Sequence, residues 1–175
     1  LNKYSKTYYS PNSYNNHFGV PLSLSNMNIY DNFGVFEVGM SKFNEINKLS
    51  ALVKPHIAII TNISEAHLEN FNDIKDIAKA KSEIIYNVQK EGTVVLNRDD
   101  KFFKYLSGIA QKNKTKVISF GYSKKADIKI IGISKNKKKY ILKISNNNKI
   151  IFLEANHNDK NHILNILCTL CVLNE

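Results

Sequence analysis

The chain has 175 residues, 43% of them hydrophobic, enough to bury a core and to form one domain or most of one; an unfolded polar chain is excluded. A formal charge of +10 raises a polyanion as partner, yet the excess is almost all lysine, with Arg98 the only arginine amid abundant Asn and Ile, so no nucleic acid partner is expected. No apolar stretch approaches the roughly 20 residues of a membrane span, and the opening LNKYSKTYYSPNSYNN lacks a signal-peptide layout; no membrane insertion and a cytoplasmic setting are expected.

In chain order, short apolar runs alternate with longer amphipathic ones, the signature of a parallel sheet joined through helices. Strands are predicted at FGVFEV (33 to 38), IAIITN (57 to 62), TVVLN (93 to 97) and KVISFG (116 to 121). Helices are predicted at about 44 to 53, 73 to 89 and 100 to 112. From 127 to 154 the pattern becomes DIKIIGIS, KYILKIS and KIIFLE with turn-like KNKK and NNN between them, an antiparallel meander or hairpin. The densest basic run, Lys135 with Lys137, Lys138 and Lys139, falls at its first turn. A last helix is expected from about Asn158, and Cys168 with Cys171 on its apolar pattern reads as core packing, because no second Cys pair or His cluster completes a metal site. The lack of an initiator Met and the stop inside NHILNILCTLCVLNE point to a fragment.

Ligands of open α/β sheets sit beyond the carboxyl ends of the strands. Glu37 ends the first predicted strand, Asn62 the second with His67 just beyond, and Asn97, Asp99 and Asp100 follow the third, all on one edge of the predicted sheet. Taken alone, His67 in TNISEAHLENF reads as an incidental member of a solvated loop. In DIKDIAKAKSEIIYNV, Ile74, Ala78, Ile85 and Val88 form a seam whose gap is filled by Lys81. Such a lysine either packs its stem while its ammonium reaches water, or is desolvated into a neutral, reactive amine.

The run EVGMSKFNEINKLSALVKPHIAIITNISEAHLENFNDIKDIAKAKSEI resembles the central domain of the Mur ligases, the ATP-dependent enzymes that build the peptide stem of peptidoglycan. NNHFGVPLSL, EVGM and AHLENF resemble the D-alanyl-D-alanine-adding branch, and the likeness runs on through VLNRDD and NHNDKN. It implies a doubly wound, mostly parallel α/β sheet of P-loop type with a small antiparallel extension, over residues 1 to 175. It further implies ATP and Mg²⁺ as cofactors, and UDP-MurNAc-tripeptide and D-Ala-D-Ala as substrates of an expected monomer. By the same resemblance Glu37 holds a Mg²⁺ on ATP phosphates and His67 belongs to a second metal site. Lys81 matches a lysine carbamylated by CO₂, whose new carboxylate supplies the oxygen that Mg²⁺ prefers. Asn161 matches an adenine contact framed by His157 and Asn158, with Asn97 also on the nucleotide side. Asn15 and Asn16 match a loop approaching the nucleotide-sugar peptide, and read equally as a turn stabilised by Asn side chains.

Two features depart from the family. The phosphate-holding GxxGK element with its following Ser or Thr is absent; family order places it before Leu1, so truncation is expected, and the 175 residues are expected to be inactive alone for want of that loop and of the C-terminal domain. Ala155 stands where a Gly is usual. The alternatives are another Mur ligase, a folylpolyglutamate-type synthetase, or a non-catalytic Mur-like or basic nucleic-acid-binding protein.

Overall fold

A computed structural model describes residues 1–65, 70–147 and 149–175. They form two compact units, the first of Leu1–His56 with Ser64–Gly92, the second of Ile57–Ile63 with Thr93–Glu175.

In the first unit, β1 (Thr7–Tyr9) pairs in parallel with β2 (Phe33–Val35), with α1 (Gly19–Asn26) between them in sequence. The start of α1 is made by Asn16, whose Oδ1 accepts from the backbone N–H of Phe18 at 3.0 Å and of Gly19 at 2.9 Å. This satisfies donors that the first helical turn leaves without partners. Helix α2 (Glu45–Val53) begins after Asn44, which is left-handed at φ 67 and has no side-chain cap of its own. Glu83 caps it instead, accepting from Asn44 N at 2.7 Å and Asn47 N at 3.0 Å. A carboxylate there also meets the positive end of the helix dipole.

The helix predicted over 73 to 89 is two elements. Helix α3 (Ile74–Ser82) starts under Asp73, which accepts from Asp76 N, and it passes into a 3₁₀ segment, Glu83–Asn87. The Asn87 amide donates to Asn47 O at 3.0 Å and Ser50 Oγ at 2.9 Å, so the tighter turn is fixed to α2. The most deeply buried side chains of α3 are Ile77, Ala78 and Ala80; Ile74 and Val88 are only half-buried.

The second unit is a six-stranded sheet in the order β3 (Ile57–Ile60), β4 (Thr93–Asn97), β5 (Lys116–Gly121), β6 (Ile128–Asn136), β7 (Lys139–Asn146), β8 (Lys149–Ala155). β3 to β6 pair in parallel, and β6 to β8 form the expected antiparallel meander. All five residues of β4 are buried, as a central parallel strand requires. The two remaining helices are α4 (Phe103–Lys112) and α5 (Lys160–Leu173). Phe120, Ile128, Leu142, Ile144 and Leu167 have no exposed surface and share one core with Cys168 and Cys171. Each such apolar side chain contributes about 1.5–3 kcal/mol by leaving water. Both cysteines are free and buried, and burial pushes their thiols up to about 11 and about 12. Core packing is what CxxC does here.

Three further expectations change. β2 pairs with β1, so Glu37 follows a strand of a two-stranded sheet and does not share the edge of the sheet that carries Asn62 and Asn97. α5 begins at Lys160, capped by Asp159, which accepts from His162 N at 2.8 Å, two residues later than expected. Ala155 ends β8 in regular pairing with Tyr140 and has no positive φ, so that position tolerates alanine.

Candidate active site

Glu37 lies two residues past β2 and is exposed. Its Oε1 accepts from Asn15 Nδ2 at 2.7 Å, while no described residue donates to Oε2. The Asn15 carbonyl also accepts from Gly39 N at 2.7 Å. The structure thus joins two residues that the sequence assigned to different ligands, Asn15 to the substrate and Glu37 to the cation. A carboxylate with one oxygen held and the other unclaimed fits a hard cation such as Mg²⁺. Beside it, the turn 41–45 is closed by Glu45 Oε2, which accepts from Ser41 N at 2.6 Å and Lys42 N at 3.2 Å. The Ser41 N–H holds the Glu45 carboxyl below its ordinary value against the opposing effect of burial.

Asn16 has its side-chain oxygen committed to capping α1. With Ser13, Tyr14, Phe18, Gly19 and Leu22 it lines a shallow hollow of about 200 Å³. The turn reading of that Asn is therefore realised. Lys81 belongs to the same unit; at 100° per residue it falls between Ile77 and Ala78 on the buried arc of α3, and it is half-buried. A bare ammonium is no ligand for Mg²⁺, whereas its carbamate would offer oxygen. His67 lies outside the described residues. Among the described residues, no group of three or more His, Cys, Asp or Glu side chains is placed to hold a metal.

The nucleotide-side candidates all fall in the second unit. Asn97 ends β4 buried at 7% exposure, its Oδ1 accepting from Asp99 N at 2.9 Å. Asp99 accepts from Tyr122 N at 2.6 Å and Ser123 N at 2.8 Å; Asp100 accepts from Ile63 N at 2.7 Å and Phe102 N at 2.8 Å. Gly121 admits the first of these, since its φ is +152 and a Cβ there would lie 2.6 Å from Asp99 Oδ2. His157, Asn158 and Asn161 are exposed around the start of α5, with the His157 ring edge-on to His162 at 5.8 Å. Tyr122, which the sequence did not single out, has its phenol raised above its ordinary value by burial first and then by the charges of Asp99 and Asp159. Its signal was available as the aromatic residue just past the end of a central parallel strand.

The Mur ligase middle domain family matches residues 2–173. A UDP-N-acetylmuramoyl-tripeptide--D-alanyl-D-alanine ligase of Rickettsia prowazekii is 39% identical over 123 residues, 70% of this chain and 27% of that protein. The enzyme of that name from Borreliella burgdorferi is 44% identical over 85 residues, 49% of this chain and 18% of its own length. Among solved structures, MurF of Acinetobacter baumannii superposes with a TM-score of 0.90 at 24% identity, covering 98% of this chain and 37% of that one. MurF of Thermotoga maritima in complex with ADP superposes at 0.87 with 22% identity, covering 99% and 40%. The chain spans about a quarter or less of the length of these two curated relatives. With its sheet order, its meander and a match running from residue 2 to residue 173, the chain belongs to the Mur ligase middle domain family.

Proposed function

We propose that the protein carrying this chain is an ATP-dependent carboxylate–amine ligase of peptidoglycan precursor synthesis, joining D-Ala-D-Ala to UDP-MurNAc-tripeptide in the cytoplasm. The observation that carries the substrate assignment is the 39% identity to a ligase of that name over 70% of the chain. A carboxylate is a poor acylating agent until one oxygen becomes a leaving group. The terminal carboxylate of the tripeptide attacks the γ-phosphorus and ADP departs, which leaves an acyl phosphate. The D-Ala-D-Ala amine then attacks the carbonyl carbon, phosphate leaves, and the amine loses its proton.

The chain's residues have the following roles in this reading. Glu37 offers its unclaimed oxygen to Mg²⁺, and His67 with carbamylated Lys81 serves a second cation. Mg²⁺ supplies charge neutralisation where carboxylate meets phosphate. The Lys81 carbamate forms when its neutral amine adds to CO₂, making an N–C bond and releasing a proton. Asn161, framed by His157 and Asn158, contacts adenine; Asn97 supports that side through the turn it closes. Asn15 and Asn16 shape the loop facing the nucleotide-sugar peptide.

The test is phosphate release and peptide-bond formation by the purified protein. The expected result is one phosphate per D-Ala-D-Ala incorporated, dependent on ATP, Mg²⁺ and UDP-MurNAc-tripeptide together. Glutamate addition to a folate acceptor, or addition of a single amino acid to a shorter stem, would overturn the substrate assignment in favour of a relative.

A further inference from the structure

We infer that Asn15 is a positioning residue for Glu37, fixing which carboxylate oxygen is presented to a divalent cation; the inference rests on the proposed cation role of Glu37. Asn15 grips the segment 37–39 at two points: its amide donates to Glu37 Oε1 at 2.7 Å, and its carbonyl accepts from Gly39 N at 2.7 Å. Gly39 is what allows this approach, because a Cβ there would lie 2.9 Å from Asn15 Cγ and 3.1 Å from both atoms of its amide. The loop holding Asn15 is itself built, with Asn15 N donating to Ser13 O at 2.8 Å and Asn16 capping α1 immediately after it.

The chemistry of the donor matters. An exposed glutamate explores several rotamers, whereas Mg²⁺ demands near-octahedral geometry. A hydrogen bond to Oε1 selects one rotamer and leaves Oε2 to the ligand. A lysine or arginine would also orient the carboxylate, but would cancel the charge that attracts the cation. A neutral amide orients it and keeps the charge intact. Partners of metal-binding groups commonly change metal affinity by about 10–100-fold when removed.

The experiment titrates Mn²⁺ by electron paramagnetic resonance into the full protein carrying this chain, with ATP present and both acceptor substrates absent, so that no turnover is read. Asn15→Ala and Asn15→Leu, the second of similar volume but without a donor, are each expected to weaken Mn²⁺ binding about 10-fold or more with little change in melting temperature. Gly39→Ala, which keeps asparagine at position 15 but pushes its side chain aside, is expected to do the same and serves if an Asn15 variant folds poorly. Unchanged Mn²⁺ affinity in all three, with a raised KM for the nucleotide-sugar peptide, would assign Asn15 to substrate and overturn the inference. A wild-type protein that binds no Mn²⁺ with ATP would instead overturn the role given to Glu37, and this inference with it.

Discussion

Glu37 and Asp99 both follow a strand end, and their carboxylates meet different fates. In the second unit, both oxygens of Asp99 and both of Asp100 accept from backbone N–H groups, and Asp127 accepts from the Ser119 N–H and hydroxyl. These acids hold turns together. In the first unit, Glu37 accepts one hydrogen bond from the described residues, from a side-chain amide, and none of them donates to its second oxygen. Position at the end of a strand therefore does not separate a ligand from a staple. Under the roles proposed above, what separates them is whether the oxygens are already claimed, because a committed carboxylate would have to break hydrogen bonds before taking a cation.

The comparison breaks most easily at Glu37. Glu37→Ala in the protein carrying this chain should lower ligation by about 10³-fold, several kcal/mol of transition-state stabilisation, while the melting temperature stays nearly unchanged. Steady-state kinetics beside thermal melting checks this, and a melting loss matching the activity loss would place Glu37 with the staples.

Lys81 gives the next effect. Lys81→Ala is expected to reduce ligation by about 10²-fold while remaining folded, with partial recovery on adding formate or acetate. Lys81→Arg should fail as well, since it keeps the cation and cannot supply a carboxylate. Near-normal ligation by Lys81→Arg would leave the half-buried lysine as packing alone.

Asp100→Ala tests the opposite side. Removing an acceptor for two part-buried N–H groups should cost about 1–3 kcal/mol in denaturant unfolding, with kcat per folded molecule preserved. A selective loss of kcat would move this acid out of the structural class.

The smallest effect belongs to Glu45. Its folded carboxyl titrates below its ordinary value, so the stability it contributes is present above about pH 4.5 and is lost as pH falls through the lower folded value. Glu45→Gln should flatten that acid-side decline, lowering the melting temperature slightly at neutral pH and converging on the parent protein as pH falls below about 4.5. An unchanged slope would show that the Ser41 and Lys42 N–H groups do not stabilise the charged form.

The second unit was largely legible in the sequence. TVVLN and KVISFG are continuous apolar runs that have no helical alternative of adequate length, and the observed β4 and β5 coincide with them. The meander was marked by its turns, and Lys137, at φ 53, sits at the two-residue turn where the basic run was expected to form a tip. The first unit was less legible because its elements are short and its contacts come from distant positions. β1 has three residues, and α1 hides behind Pro21, although an Asn cap followed by Pro in the first turn is a helix start that NNHFGVP displays. The change from α3 to a 3₁₀ segment leaves Ile85 buried under either periodicity, so apolar spacing could not mark the break. Among the proposed site residues, Glu37 was singled out from its motif and Lys81 from the gap it fills in an apolar seam. The Asn15 contact was not, since nothing in a linear pattern pairs residues twenty-two positions apart.

Cys168 and Cys171 give the second unit a chemical clock. With their thiols raised to about 11 and about 12 and enclosed beneath α5, an alkylating reagent at neutral pH meets almost no thiolate while the helix is seated. Labelling then proceeds only through openings that expose the helix, so its rate reports how often α5 lifts from the sheet without any dye or engineered probe. Ligands that hold the start of α5 in place would slow that clock, and the slowing would measure their binding by way of two sulfur atoms that never touch them.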